Sequence, residues 1–324
     1  MQNFWIRFYN AAKSATPSAL HTAWWMVRIT VAVSFAIFLL KYSGILIWLS
    51  TAIAPVFQLF GLPGDAAFAF ISGYFINVYA CVAVVSTIDI SIRAVTIIGA
   101  MTLAAHAIPI ESAIQKKTGS SLVMVIIVRT ISSFVLGILL NLILPNRPDF
   151  ASTTTVELSQ LPFFKIQGDF MPLFLDWLKM ISLLMGKMVT IILSLNILHG
   201  VLREFGILKY ISNAARPLMN IFGLSKGNSF LWIIANIVGL SYGASIMVEE
   251  AQKSNLTKRD IDLLNAHIGI SHSNIEDLSI VVTVGAVWWI VLFSRWIMSL
   301  IIVWIFRAYY FFKEKESKLK VSNY

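Results

Sequence analysis

A histidine followed by carboxylates occurs twice in this chain, each time at the end of an apolar run. The first copy contains His106 and Glu111, and the second contains His272, Glu276 and Asp277. Imidazole and carboxylate groups at such a place can carry protons or bind a cation. The same groups are equally typical of a helix that ends at the polar surface of the membrane, so both interpretations are kept.

Two arginines with apolar residues on either side, Arg129 and Arg295, raise a second question of chemistry. A charged guanidinium inside a membrane span costs roughly several kcal/mol unless it reaches the surface or finds a partner. The arginines therefore predict either a site for an anionic or carboxylate-bearing solute, or structural pairs with the nearby acids Glu111 and Asp277.

Glycines and small polar residues interrupt two further apolar runs. They are Gly73 and Asn77 in the first half of the chain, and Asn236, Gly239 and Ser241 in the second. Unwound backbone and small polar side chains at membrane depth are typical of the sites where transporters bind polar solutes. Close packing between helices is the structural alternative, because it also favours small residues.

No sequence feature predicts catalysis, a metal or a cofactor. His267 and His272 are five residues apart, whereas a helix that binds zinc through one face places its histidines four apart. The single cysteine, Cys81, excludes a disulfide framework and a multi-cysteine metal site. The sequence has no nucleotide-binding, serine-hydrolase or zinc-protease motif. We therefore expect no enzymatic activity, no resident metal and no cofactor.

The residues that carry this chemistry are repeated within the chain. Residues 44–46 (Gly-Ile-Leu) recur 162 positions later at 206–208. Four pairs of ionisable residues are 166 positions apart: Arg93 and Arg259, His106 and His272, Glu111 and Asp277, and Arg129 and Arg295. These matches predict an internal duplication. In membrane proteins such repeats favour alternating access to a site at the interface between them.

Basic residues indicate how the two halves are oriented. The segment after the first apolar run carries only Lys41, whereas its counterpart carries Arg203, Lys209 and Arg216. Because basic residues collect on the cytoplasmic side of a membrane, opposite bias at equivalent segments favours an inverted repeat over a parallel one.

Composition defines the environment of these elements. Of the 324 residues, 58% are hydrophobic and 13% are charged, which excludes an ordinary soluble enzyme and predicts several membrane passes. The net charge of +9 fits the positive-inside rule better than it fits a nucleic-acid surface. We therefore predict an all-α integral membrane protein with broken or re-entrant helices and with both termini in the cytoplasm.

The predicted organisation has five parts. A cytoplasmic amphipathic segment, residues 1–23, precedes the first repeat at 24–145. A polar linker at 146–173 leads to the second repeat at 174–306, and a basic cytoplasmic tail covers 307–324.

Two motifs resemble a known family. Residues 60–62 (Phe-Gly-Leu) precede a glycine-interrupted run, and residues 271–277 read Ser-His-Ser-Asn-Ile-Glu-Asp. This pattern is similar to the Gate, or nucleoside-recognition, membrane proteins, and the similarity extends over both repeats. That superfamily includes gate regions of concentrative nucleoside transporters and of ferrous iron transporters, and the spore maturation proteins A and B. The resemblance implies two Gate repeats in a bacterial cytoplasmic (inner) membrane.

The predicted function is a permease-like protein that uses alternating access at the repeat interface. Its solute is small and polar or anionic, either nucleoside-like or bearing a carboxylate or phosphate. The candidate site residues are Gly73, Asn77, His106, Glu111, Arg129, Asn236, Gly239, Ser241, His272, Glu276, Asp277 and Arg295. The expected partners are the lipid bilayer, the solute and a coupling proton or sodium ion, with homo-oligomerisation left open and no nucleic acid. The alternatives are a non-transporting scaffold or gating partner of another complex, and transport of divalent cations or lipid.

Overall fold

The computed structural model describes residues 4–145, 166, 168–253 and 256–322, and these residues form helices with short connections. The helices of the first half are α1 (Phe4–Tyr42), α2 (Ile45–Phe57), α3 (Ala66–Phe75), α4 (Val78–Val85), α5 (Ile92–Ala104), α6 (Ile108–Lys117) and α7 (Leu122–Ile143). Their counterparts are α8 (Phe170–Glu204), α9 (Ile207–Ile221), α10 (Ser229–Ile233) with a π-helical turn, α11 (Leu240–Lys253), α12 (Lys258–Ser271), α13 (Glu276–Val282) and α14 (Trp288–Ser322).

Five helical segments of the described residues are long and apolar enough to cross a membrane. They are Phe4–Tyr42, Ile92–Lys117, Leu122–Ile143, Phe170–Glu204 and Trp288–Lys315. The predicted all-α integral membrane fold is thereby confirmed. The apolar helices α2 and α3 are too short to span a bilayer alone, since a span needs about 20 residues.

The two repeats are inverted, as the charge bias predicts. Their equivalent first helices, α1 and α8, pack against each other in opposite directions. Arg7 near the start of α1 pairs with Glu204 at the end of α8, and Trp177 near the start of α8 donates to Ser34 in the second half of α1. The start of α1 defines one end of the molecule, the Arg7 end, and the end of α1 defines the other, the Lys41 end.

Each repeat contains a break between the helices that carry its histidine. α5 and α6 are separated at Ala107, which has a φ of 45°, and α12 and α13 are separated at the equivalent Ser273, with a φ of 56°. A left-handed conformation is uncommon for a residue other than glycine, so the surroundings must hold it. The amide of Ala107 donates to Gly73 O at 2.9 Å, and that of Ser273 donates to Ala235 O at 3.0 Å.

A second break occurs in each repeat between the helices that supply those carbonyl groups. α3 and α4 are separated at Asn77, whose side chain accepts a hydrogen bond from the amide of Ala80 and so caps α4. The equivalent break between the π-helical turn and α11 lies at Gly239, with a φ of 90°. The predicted broken helices are therefore present in both halves, and α4, α6, α11 and α13 all begin in the middle of the molecule.

The turn between α6 and α7 lies against α12 of the other repeat, at the Arg7 end. Asn265 Nδ2 donates to Ser120 Oγ at 2.8 Å and to Thr118 Oγ1 at 2.9 Å. Gln115 Nε2 donates to Asn265 O at 2.8 Å, and Ser120 Oγ donates to Asp262 Oδ1 at 2.7 Å. We name this hydrogen-bonded set the polar contact.

The turn between α13 and α14 lies against α5 at the Lys41 end. A methyl group at Gly99 would lie 3.6 Å from Ala286 Cβ and 3.7 Å from Val281 Cβ, so this packing is close and apolar. The amide of Val287 donates to Thr96 Oγ1 at 3.1 Å. We name this set the apolar contact.

The structure describes the predicted N-terminal segment and C-terminal tail more fully than the predicted linker. Residues 4–23 of the predicted amphipathic segment are continuous with the first span in α1. The predicted linker at 146–173 lies largely outside the described residues. The predicted basic tail begins within α14, whose helix continues to Ser322.

Candidate functional site

The helix breaks of both repeats surround a small cavity of about 50 Å³. Its polar lining includes Asn77, His106, Glu111, Ser241, Glu276 and Asp277. A water molecule in the liquid occupies about 30 Å³, so this cavity has room for a water molecule or an ion but not for a nucleoside in this conformation.

Four ionisable side chains form the central cluster: His106 and Glu111 from the first repeat, and His272 and Asp277 from the second. His106 Nε2 lies 3.0 Å from Asp277 Oδ2 and 3.3 Å from Glu111 Oε1. The rings of the two histidines stack with their centroids 4.9 Å apart. Each residue of the cluster is buried, so the repeat interface contains a charged site that is shielded from bulk water.

The hydrogen bonds of His272 leave its Nε2 facing Glu111 without a hydrogen of its own. His272 Nδ1 lies 2.7 Å from Ile268 O, and because a carbonyl oxygen only accepts, Nδ1 carries the hydrogen. His272 Nε2 then holds a lone pair when the ring is neutral. It faces Glu111 Oε2 at 3.1 Å. Two acceptors at this distance repel each other unless a proton or another cation lies between them.

Arg129 holds the end of α5 and the central cluster together. Its Nε donates to Ala104 O at 3.2 Å, and its Nη2 donates to His106 O at 2.8 Å and to Glu111 Oε2 at 2.9 Å. The carbonyl groups at a helix end lack partners within the helix. Arg129 supplies these partners and forms the ion pair with Glu111 that the sequence suggests.

Arg295 makes the same backbone contacts in the second repeat without a carboxylate partner among its hydrogen bonds. Its Nε donates to Ile270 O at 2.8 Å and its Nη2 to His272 O at 2.5 Å. Its Nη1 lies 3.4 Å from Asn274 Oδ1. Asp277, the carboxylate expected beside Arg295, lies instead against His106 of the other repeat.

The arginines therefore differ from the free cations that a solute site would use. Both guanidinium groups are fully buried, and most of their donors bond to the protein itself. Of the nitrogen atoms in these two guanidinium groups, only Arg129 Nη1 is buried without a hydrogen-bond partner among the described residues. This arrangement matches the structural interpretation of the two arginines more closely than it matches direct binding of an anion.

The glycine and amide residues divide into two groups. Asn77, Gly239 and Ser241 line the central cavity, and Ser241 Oγ lies 3.5 Å from Glu111 Oε1. Gly73 and Asn236 instead support the breaks. A Cβ atom on Gly73 would lie 2.4 Å from Thr102 Cγ2, so only glycine fits there.

Two residues that were not predicted as site residues also belong to this region: Tyr79 lines the cavity, and Asn274 contacts its supporting residues. Tyr79 Oη donates to Glu276 Oε1 at 2.5 Å, which connects α4 to α13 across the repeat interface. Asn274 Nδ2 donates to Asn236 Oδ1 at 2.5 Å and also contacts Arg295. Asn274 lies inside the repeated histidine motif, and this position could have identified it as a site residue from the sequence. Tyr79 lies two residues after the break at Asn77.

The charges around the cavity leave a formal deficit of one positive charge. Two guanidinium groups, Arg129 and Arg295, face three carboxylates, Glu111, Glu276 and Asp277, which gives a net charge of −1 when both histidines are neutral. Buried charge that is not balanced is costly. One bound proton or monovalent cation would neutralise the site, which agrees with the geometry of His272 and Glu111.

Comparison with known proteins supports the resemblance seen in the sequence. Residues 23–144, which include α2–α7 and the second half of α1, match the Gate family, described as nucleoside recognition. The chain is 26% identical over 278 residues to an uncharacterized membrane protein, YvoD, of Bacillus subtilis (strain 168). That match covers 86% of this chain and 88% of the relative. No solved structure matches the chain.

Proposed function

We propose that this membrane protein, whose residues 23–144 match the Gate family, is a permease that moves a small polar solute together with one proton through the interface of its inverted repeats. The observation that carries this proposal is the pair of acceptors, His272 Nε2 and Glu111 Oε2, 3.1 Å apart in a buried site. A proton bound there belongs to both repeats, so its binding depends on how the repeats are arranged. The proposal includes no catalytic step.

Alternating access follows from the size and position of the site. The central cavity of about 50 Å³ does not admit a metabolite. Solute entry therefore requires the repeats to move apart at one end. The polar contact and the apolar contact lie at opposite ends, and opening either one would give access from one side of the membrane.

The charge distribution favours an orientation with the Arg7 end in the cytoplasm of a bacterium. Basic residues are numerous at that end, at the ends of α6 and α11 and at the start of α12: Lys116, Lys117, Lys253, Lys258 and Arg259. The Lys41 end carries acidic residues beside its lysine. By the positive-inside rule both the start of α1 and the end of α14 then face the cytoplasm of an inner-membrane protein.

A thermal-shift screen of the full chain in detergent tests the proposal with uridine, succinate, glycerol 3-phosphate and Zn²⁺ as probes. A probe that binds only the folded protein stabilises it by about 2.7 kcal/mol at 100 times its Kd. We expect one of the three organic probes to bind. Its affinity should change by up to about tenfold per pH unit, because binding is linked to one proton.

Glu111→Gln removes the acceptor that shares the proton, and we expect it to abolish the pH dependence of solute affinity. Glu249→Gln on α11 is the matched control, because Glu249 is exposed and, among the described residues, its side chain pairs with Lys253 on the same helix. In liposomes, wild-type protein should take up protons when the solute is added, and Glu111→Gln should not. Failure of every organic probe to bind, or equal proton uptake by both proteins, contradicts the proposal.

A divalent cation as cargo is the second candidate, and one observation favours it. Ligand atoms of His106, His272 and Asp277 all lie within 4.8 Å of one another. The sequence expectation of no metal site considered histidines on one helix, whereas these two come from different repeats. The adjacent Arg129 lowers the negative charge available to a divalent ion, so we prefer the proton. Stabilisation by Zn²⁺ alone, lost in His272→Gln, would favour the metal.

A further inference from the structure

A second and larger cavity lies at the Lys41 end, away from the central cluster, and has a volume of about 460 Å³. It lies between the end of α1, the start of α2, the segment after α4 and the first turns of α8. Its charged and aromatic lining includes Lys41, Tyr42, Asp65, Asp89, Asp176 and Trp177. We name it the acidic cavity. None of these residues lines the central cavity.

The side chains of the acidic cavity give it a net negative charge. Three carboxylates face one ammonium group, and that ammonium group is already bonded, since Lys41 Nζ donates to Thr87 O at 3.0 Å. The excess is therefore two negative charges at the end of the molecule that also carries few basic residues. Such a cavity attracts cations and disfavours anions.

Asp65 hydrogen-bonds with the side chain of Ser50, but one of its carboxylate oxygens has no partner. It stands at the N-cap of α3 but makes no side-chain capping bond there. Its Oδ1 is buried and, among the described residues, has no hydrogen-bond partner. A buried carboxylate oxygen that lacks a partner is costly, and a ligand that donates a hydrogen bond would remove this cost.

The walls of the acidic cavity are suited to an organic cation rather than to a metal ion. Trp177, Tyr42 and Phe38 present aromatic surface, and aromatic faces attract ammonium groups. Ligand pockets are commonly about 300 to 1,000 Å³ in volume, and this one falls in that range. A hard divalent ion would prefer a compact set of oxygen ligands without a lysine beside them.

The acidity of this cavity does not follow from the duplication. At the equivalent positions, Asn228 stands in place of Asp65 and Ser14 stands in place of Asp176. The carboxylates of Asp65 and Asp176 therefore have no counterpart at the other end. Asp65 and Asp89 come from the first repeat and Asp176 from the second, so a ligand that bound all three would bridge the repeats.

We propose that the acidic cavity is a binding site for a small organic cation that carries one or two ammonium groups. The ligand's ammonium group donates to Asp65 Oδ1 and its alkyl part packs against Trp177. By bridging the repeats, the bound cation holds the Lys41 end in the arrangement seen here.

Binding of 1,4-diaminobutane and choline to the full chain in lipid nanodiscs tests this proposal, with 1,4-butanediol as the uncharged counterpart. We expect saturable binding of at least one cation by isothermal titration calorimetry and none of the diol. Asp65→Asn and Asp176→Asn preserve side-chain shape and should each weaken binding about tenfold, since each removes a charge from the cation's surroundings. Asp169→Asn, on an exposed residue just before α8, is the matched control and should bind as the wild type does.

Three results would overturn the proposal. The first is the absence of saturable binding of either cation to folded wild-type protein. The second is equal affinity in the wild type, Asp65→Asn and Asp176→Asn. The third is displacement of the organic cation by Mg²⁺ at equal concentration, which would make the cavity a metal site. Melting temperature of each variant without ligand shows that loss of binding is not loss of fold.

Discussion

The two inter-repeat contacts occupy equivalent places in the inverted repeats but are built from different side chains. Asn265, at the centre of the polar contact, corresponds to Gly99 at the centre of the apolar contact, 166 positions earlier. Gln115 and Ser120 correspond in the same way to Val281 and Ala286. The duplicated backbone is therefore symmetric while the chemistry that closes its two ends is not.

This difference predicts unequal opening of the two ends. When the polar contact separates, water can replace its hydrogen bonds, and each such bond contributes only about 0.5–1.5 kcal/mol net. When the apolar contact separates, it exposes packed surface at a cost of about 25 cal/mol per Å². We therefore expect the Arg7 end to open more readily than the Lys41 end.

A second comparison concerns the two central arginines. Both bind the carbonyl groups at the end of the preceding helix, but Arg129 also pairs with Glu111, whereas Arg295 contacts the neutral Asn274. The first repeat therefore contains an arginine–carboxylate pair within one repeat, whereas the arginine of the second repeat bonds to backbone carbonyl groups and to Asn274.

Arg129→Leu should have the largest effect on stability. It leaves Glu111 buried without its guanidinium partner, and breaking a buried ion pair costs about 3–5 kcal/mol. Arg295→Leu removes hydrogen bonds to carbonyl oxygens but leaves no carboxylate without its hydrogen-bonded guanidinium partner. We therefore expect the free energy of unfolding to fall by about 1–3 kcal/mol. Melting temperatures of the two variants in the same detergent measure the difference. A larger loss for Arg295→Leu would show that the ion pair is not what distinguishes the repeats.

Asn265→Leu should have an intermediate effect, because it breaks the polar contact. Ser120 and Thr118 lose the amide donor of Asn265, and we expect a loss of about 2–4 kcal/mol from the unsatisfied groups. Hydrogen exchange should become faster at residues 115–121 and remain unchanged at 281–287. Asn213→Leu, on the exposed side of α9, is the control. If Asn265→Leu accelerated hydrogen exchange equally in both regions, the polar contact would not open independently of the apolar contact.

Gly99→Ala should have the smallest effect and should stabilise the protein. The added methyl group meets Ala286 Cβ at 3.6 Å, which is ordinary van der Waals contact, and alanine favours a helix by about 0.5–1 kcal/mol over glycine. Gly137→Ala on α7 is the contrasting variant, since its methyl group would lie 2.5 Å from Met101 Sδ. A lower melting temperature for Gly99→Ala would mean that the apolar contact is already fully packed.

The candidate site was only partly predictable from the sequence. The matched pairs His106 and His272, and Arg129 and Arg295, identified the residues, because duplication preserves type and spacing. The sequence suggested acids of the same repeat as partners, and that suggestion describes Arg129 with Glu111. It does not describe Asp277, which contacts His106 across the interface.

The sequence by itself determined that this chain is a helical membrane protein with an internal duplication, and it favoured inverted repeats, since hydropathy, internal matches and basic bias are properties of the residues in order. Only the tertiary structure decided that His272 lies beside Glu111 of the other repeat and that the two ends close with different side chains. Contacts between repeats depend on how two inverted halves meet in space. The spacing of residues within one repeat does not show which residues of the other repeat they contact.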